Sequence, residues 1–92
     1  MVETRRLGEA HGALQRGDPQ RALEMLDEQS AAYEDGQLQA ERAAARILVL
    51  CKLGRVEEAN AAAARFLRAN PRSPLLDRIR SGCPAKAQGM ER

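Results

Sequence analysis

Apolar residues recur along this chain at the three- and four-residue intervals of a helix. Leu7, Ala10 and Leu14 make a first stripe on one face. "RGDP" then punctuates: Gly17 suits a helix C-terminus, Asp18 an N-cap, and Pro19 a first turn, where its missing N–H costs nothing. Ala22, Leu23, Leu26, Ser30 and Tyr33 continue as a second stripe, which "YEDGQ" breaks around Gly36. A third helix runs from Gln37 to Leu53. Its segment "ILVLCKL" is apolar almost all round, which predicts cover from neighbours on two sides. Gly54 ends it. A fourth helix turns Val56, Ala59, Ala63, Phe66 and Leu67 inward and stops at Asn70–Pro71. Ser73 then caps a short fifth helix carrying Leu75, Leu76 and Ile79. The expected helices span 3–16, 19–33, 37–53, 56–69 and 74–81, in one domain over 1–82. Residues 83–92, "CPAKAQGMER", show no apolar period and read as a disordered tail.

Composition sharpens this into an all-α reading. Hydrophobic residues make up 43 % of the 92, but seventeen of them are Ala and the only large aromatics are one Phe and one Tyr. Three Val, two Ile and one Thr leave little material for a sheet. A core of Leu and Ala requires helices that approach closely, and the four successive alanines, Ala61 to Ala64, supply such a surface.

Charge and reactive residues mainly exclude functions. The formal net charge is +2, with acids scattered among bases and no one-sided basic stripe on any helix, which argues against a nucleic-acid partner. Arg46 and Lys52 interrupt the best apolar run, so no membrane insertion is expected, and no signal peptide is read. The compartment, cytoplasmic or periplasmic, stays open. His11 is the only histidine and has no partner of suitable spacing for catalysis or metal binding, so no catalytic residue, metal site or cofactor is assigned. Cys51 and Cys83 form no disulfide framework on this reading. Cys51 is expected as a small buried hydrophobe and Cys83 as a free, exposed thiol.

An internal repeat reorganises the helices. "LQRGDPQRALEML" at 14–26 aligns without gaps on "CKLGRVEEANAAA" at 51–63, so Gly17 matches Gly54 and Ala22 matches Ala59, each at a spacing of 37 residues. Each Gly lies between two helices, and each Ala follows five residues later. In this respect the chain resembles the tetratricopeptide repeat (TPR) family, whose unit is a helix A–turn–helix B hairpin. The bulky helix B residue that follows is Leu26 in the first repeat but Ala63 in the second. The repeat-ending proline is Pro71, with Glu34 at the matching first-repeat position. The small helix A residue is Ala10, with Ile47 at the second, and the helix A aromatic is missing from both.

The resemblance covers residues 4 to 81. It implies antiparallel helix-turn-helix hairpins stacked as a short right-handed α-solenoid, about two repeats plus a C-terminal capping helix. It also implies a non-enzymatic protein–protein interaction module, with helices A lining a mainly apolar concave groove for a partner peptide or helix. Carried over by position, the groove candidates are Leu7, His11, Leu14 and Gln15 from the first helix, and Ala44, Leu48, Cys51 and Lys52 from the third. Arg78 stands at the edge. A TPR subclass clamps a C-terminal carboxylate with Lys, Asn and Arg; Leu7, His11 and Ala45 occupy three of those positions here, so the clamp is absent. Two repeats fall short of the three or more usual for a stable solenoid. The alternative is therefore self-association as a homodimer, or a structural role within a larger bacterial envelope or regulatory protein.

Overall fold

The computed structural model of the protein describes residues 2–33, 36 and 38–82. Five helices account for most of them: α1 (Val2–Gln15), α2 (Pro19–Ala32), α3 (Gln39–Lys52), α4 (Val56–Ala69) and α5 (Leu75–Gly82). No strand occurs among the described residues. The fold is all-helical: α1 packs against α2 and α3 against α4 as two hairpins, joined through α2 against α3. The fifth helix lies on α3, with no comparable packing against α4.

Both hairpin turns are closed in the same way. Gly17 has φ +86° and Gly54 φ +76°, a left-handed conformation that favours glycine. The Asp18 N–H reaches back to the Ala13 carbonyl (2.9 Å) and the Arg55 N–H to the Leu50 carbonyl (3.0 Å). Each bond satisfies a carbonyl that the preceding helix leaves open. The Asp18 carboxylate then accepts from the Arg21 N–H at 3.2 Å, capping α2, with Pro19 in its first turn.

The core is built from α3 outward. Ile47, Val49 and Leu50 are almost wholly buried, as are Ala44 and Ala45, so this helix is covered on several sides. Leu26 of α2, also fully buried, contributes about 2 kcal/mol by leaving water. Ala10, Ala13, Ala22 and Ala59, each no more than 1 % exposed, sit where helices come closest. Small side chains there admit the neighbouring backbone, which is how an alanine-rich chain makes a dense interior.

The expected pattern needs correction in several places. Leu67 does not face inward; it is 46 % exposed, because α5 docks on α3 and leaves that side of α4 open. On α2, Ser30 is exposed and Gln29 takes the buried position, donating from Nε2 to the Arg6 carbonyl at 2.7 Å. The third helix spans Gln39–Lys52, and the Leu38 N–H at its N-cap donates to the Glu3 carboxylate (3.1 Å). The fifth helix starts at Leu75, whose N–H donates to Ser73 Oγ at 3.1 Å.

The cysteine reading changes in part: Cys51 is buried as expected, but the expectation of no disulfide is overturned. Cys51 is disulfide-bonded, and no described cysteine is free. The residues expected as a tail, 83–92, lie outside the described residues, and Cys83 with them.

Candidate functional site

The open side of α4 and the docked α5 form the walls of a cleft whose floor is α3. Asn60, Ala63, Ala64 and Leu67 follow the helical spacing along one face of α4. Ile47 and Cys51, four residues apart, form the floor, and Leu76, Ile79 and Arg80 the opposite wall. The cleft holds about 550 Å³. Its lining is mostly apolar, with small residues along the α4 wall. Arg80 stands at the rim with its guanidinium near Asp77, Nη1 to Oδ1 3.3 Å. Both side chains are largely exposed, so the pair contributes little to stability.

The repeat spacing shows what is unusual about this face. One period earlier, Leu23, Leu26 and Ser30 of α2 correspond to Asn60, Ala63 and Leu67 of α4. Helix α2 packs against both α1 and α3, whereas the substantial packing of α4 among the described residues is against α3. Among those residues the second hairpin has no covering helix comparable to the one the first hairpin has.

Two further depressions run along α3. One of about 570 Å³ is lined by Ala40, Ala43 and Arg46 of α3 and Ala62, Arg65 and Phe66 of α4. A shallower one of about 360 Å³ lies between Ser30 and Arg42. Arg46 in both is held by Asp27, Nε to Oδ1 2.9 Å.

Of the groove candidates from the sequence, Leu7, Ala44 and Cys51 are buried, with Cys51 lining the α4–α5 cleft. His11, Leu14 and Leu48 are half-buried, and Leu48 meets Gly82 of α5 closely enough to leave no room for a Cβ there. Gln15, Lys52 and Arg78 are exposed. None of these except Cys51 lines the three depressions described above. Among the repeat residues, Ala22 and Ala59 are buried at the hairpin contacts, while Pro71 is exposed after α4. The cleft walls at Leu67, Leu76 and Ile79 were legible only as core positions. A signal did exist: the eight-residue run from Asn60 to Leu67 repeats a face of α2 with Asn60 and Ala63 in place of Leu23 and Leu26.

Among the described residues no group of three or more His, Cys, Asp or Glu side chains could hold a metal ion. No described helix is long and apolar enough to cross a membrane. No family model, curated protein or solved structure matches the chain.

Proposed function

We propose that the protein is a TPR-like, non-enzymatic interaction module that receives one amphipathic helix of a partner protein in the cleft between α4 and α5. The observation that carries this reading is the half-open α4 face at Asn60 and Ala63, whose α2 counterparts, Leu23 and Leu26, are buried, continued on α4 by the exposed Leu67. An occupant of the same kind would bury Leu67, the largest exposed apolar side chain of α4, together with Ala63 and Ala64. Its apolar residues would recur at i, i+3, i+4 and i+7, as in other helix-in-groove complexes. This replaces the expected groove on α1 and α3 as the preferred site, because Leu7 and Ala44 are consumed by packing within the domain.

The test is selection of displayed helical peptides against the immobilised protein, followed by nuclear magnetic resonance mapping. Enriched peptides should carry that apolar spacing and shift the amides of Ala63, Leu67, Leu76 and Ile79. Leu67→Glu should weaken them by about tenfold or more, roughly 1.4 kcal/mol, without altering the melt. Perturbation confined to α1 and α2 would move the site elsewhere. A concentration-dependent dimer abolished by Leu67→Glu would assign the cleft to a second copy.

A further inference from the structure

The depression of about 570 Å³ between α3 and α4 differs from the α4–α5 cleft in its charge. Ala40, Ala43, Ile47, Ala62 and Phe66 give it a largely apolar lining, and each helix adds one arginine, Arg46 from α3 and Arg65 from α4. Arg65 is exposed and has no ion pair among the described residues. Arg46 meets Asp27 through Nε, which leaves its two Nη groups with open N–H donors among those residues. The shallower depression shares Gln39, Ala43 and Arg46 with the larger one and adds Ser30 and Arg42. No Asp or Glu lines either depression among the described residues. Arg42 brings an independent observation. It is 3 % exposed, and the Glu3 carboxylate and Tyr33 carbonyl take its Nη groups but leave Nε without a partner. A buried donor with no acceptor is rare in a folded chain and calls for an oxygen from water or a bound ion.

We propose that these two depressions form one binding surface, centred on Arg46, for a phosphate monoester carried on an apolar body. Charge selects an anion: Arg46 and Arg65 together exceed Asp27 by one positive charge, while Arg42 is balanced by Glu3. The donors select an oxyanion, because a guanidinium is a planar fork that matches phosphate or carboxylate oxygens two at a time. Two such forks favour phosphate. A phosphate monoester carries nearly two negative charges at neutral pH and three terminal oxygens, enough to engage an arginine from each helix at once. A carboxylate has one charge and two oxygens, which a single arginine satisfies. The apolar lining then receives the group that bears the phosphate, with Phe66 and the alanines as its contacts. A phosphorylated side chain and a small phosphate ester share this chemistry. Ala62, Arg65, Phe66 and Ala69 lie on a different face of α4 from Asn60, Ala63, Ala64 and Leu67. The site is therefore separate from the α4–α5 cleft and does not rest on the function proposed above.

The experiment is a nuclear magnetic resonance titration of the purified protein at constant pH and ionic strength. The probes are inorganic phosphate, phenyl phosphate, a phosphoserine peptide and acetate. Phenyl phosphate and the peptide should both give saturable shifts of the Arg46 and Arg65 Nε–H signals and of the Ala43 and Ala62 amides. Both should bind more tightly than inorganic phosphate, and the tighter of the two names the natural source. Acetate should bind at least about tenfold more weakly. Arg65→Gln should weaken phenyl phosphate by at least about tenfold without altering the melt, since Arg65 is exposed. Arg68→Gln removes the same charge from an exposed position on α4 outside both depressions, and should leave binding unchanged. Equal weakening by the two variants would overturn the site in favour of the general field of the chain. Shifts that never saturate and spread over arginines of every helix would overturn it as screening. Acetate binding as tightly as phenyl phosphate would overturn the assignment to phosphate.

Discussion

Arg42 on α3 is 3 % exposed, and its Nη1 donates to the carboxylate of Glu3 in the first turn of α1. Its Nη2 donates to the Tyr33 carbonyl at 2.7 Å, closing off the C-terminal end of α2. The same Glu3 carboxylate accepts the Leu38 N–H at the start of α3. One ion pair therefore joins three helix ends. An arginine this buried depends on its counter-charge, because removing one partner leaves an uncompensated charge in a poorly solvated place. Glu3→Ala should lower unfolding free energy by about 3–5 kcal/mol. In the double variant Glu3→Ala/Arg42→Met, part of that loss should return. Urea denaturation of both variants checks this, and a single-variant loss below about 1 kcal/mol would mean that water already solvates the guanidinium.

The two hairpin turns offer a second prediction. Neither Gly17 nor Gly54 has any atom within 4 Å of where a Cβ would be, so a methyl group there meets no obstacle. The whole effect of substitution comes from forcing an L-residue to positive φ. Gly17→Ala and Gly54→Ala should each destabilise by about 1–2 kcal/mol, and the effects should be nearly additive because the turns share no partner. Thermal melts of the single and double variants measure both claims. A difference between the two sites would show that one turn relaxes out of the left-handed region.

These turns were also the most legible part of the molecule. A Gly followed by Asp18 and Pro19 carries its own local chemistry, so α1 and α2 could be separated from sequence alone. The repeat at Gly54 then located the second hairpin. What the sequence concealed was non-local. Arg42 lies in "QAERAAAR", which reads as the solvated start of a helix, and nothing in that string announces a carboxylate from residue 3. Leu67 fits an inward helical period and would be covered if a further helix packed on α4; its exposure follows from where α5 docks. Cys51 fits an apolar run equally well as a free thiol or as half of a disulfide, since sequence separation carries no information about Cα distance.

Acid should loosen the start of α4 before the rest. Glu58 accepts two hydrogen bonds from Arg55, from Nε at 2.7 Å and from Nη2 at 2.8 Å. Hydrogen bonding to Arg55 holds the Glu58 carboxyl below its ordinary value, and the same contact raises the Arg55 guanidinium. A carboxylate with a lowered folded-state pKa stabilises the fold above its unfolded value of 4.5, and that contribution disappears as pH falls through the lower folded value. Both groups are solvent-exposed, so salt should weaken the effect. A carbon-13 titration of the Glu58 carboxyl should show a midpoint below the ordinary value of 4.5, and Arg55→Gln should raise it. A Glu58 midpoint unmoved by Arg55→Gln would rule out the contact in solution.

The alanine run on α4 separates close packing from mere helix-forming tendency. Ala59 is 1 % exposed against the rest of the core, whereas Ala61, half a turn away, is exposed. Ala and Leu are both strong helix formers, so the same substitution at each position leaves intrinsic propensity nearly unchanged. Ala59→Leu must force α4 away from α3 or displace its neighbours, and should destabilise by about 1–3 kcal/mol. Ala61→Leu should stay within about 0.5 kcal/mol of the parent. Denaturant midpoints at matched slope give the comparison directly. Equal tolerance at both sites would mean that α3 and α4 are held apart by their larger side chains, and that the small residue at the Gly54-linked position is not what brings the second hairpin together.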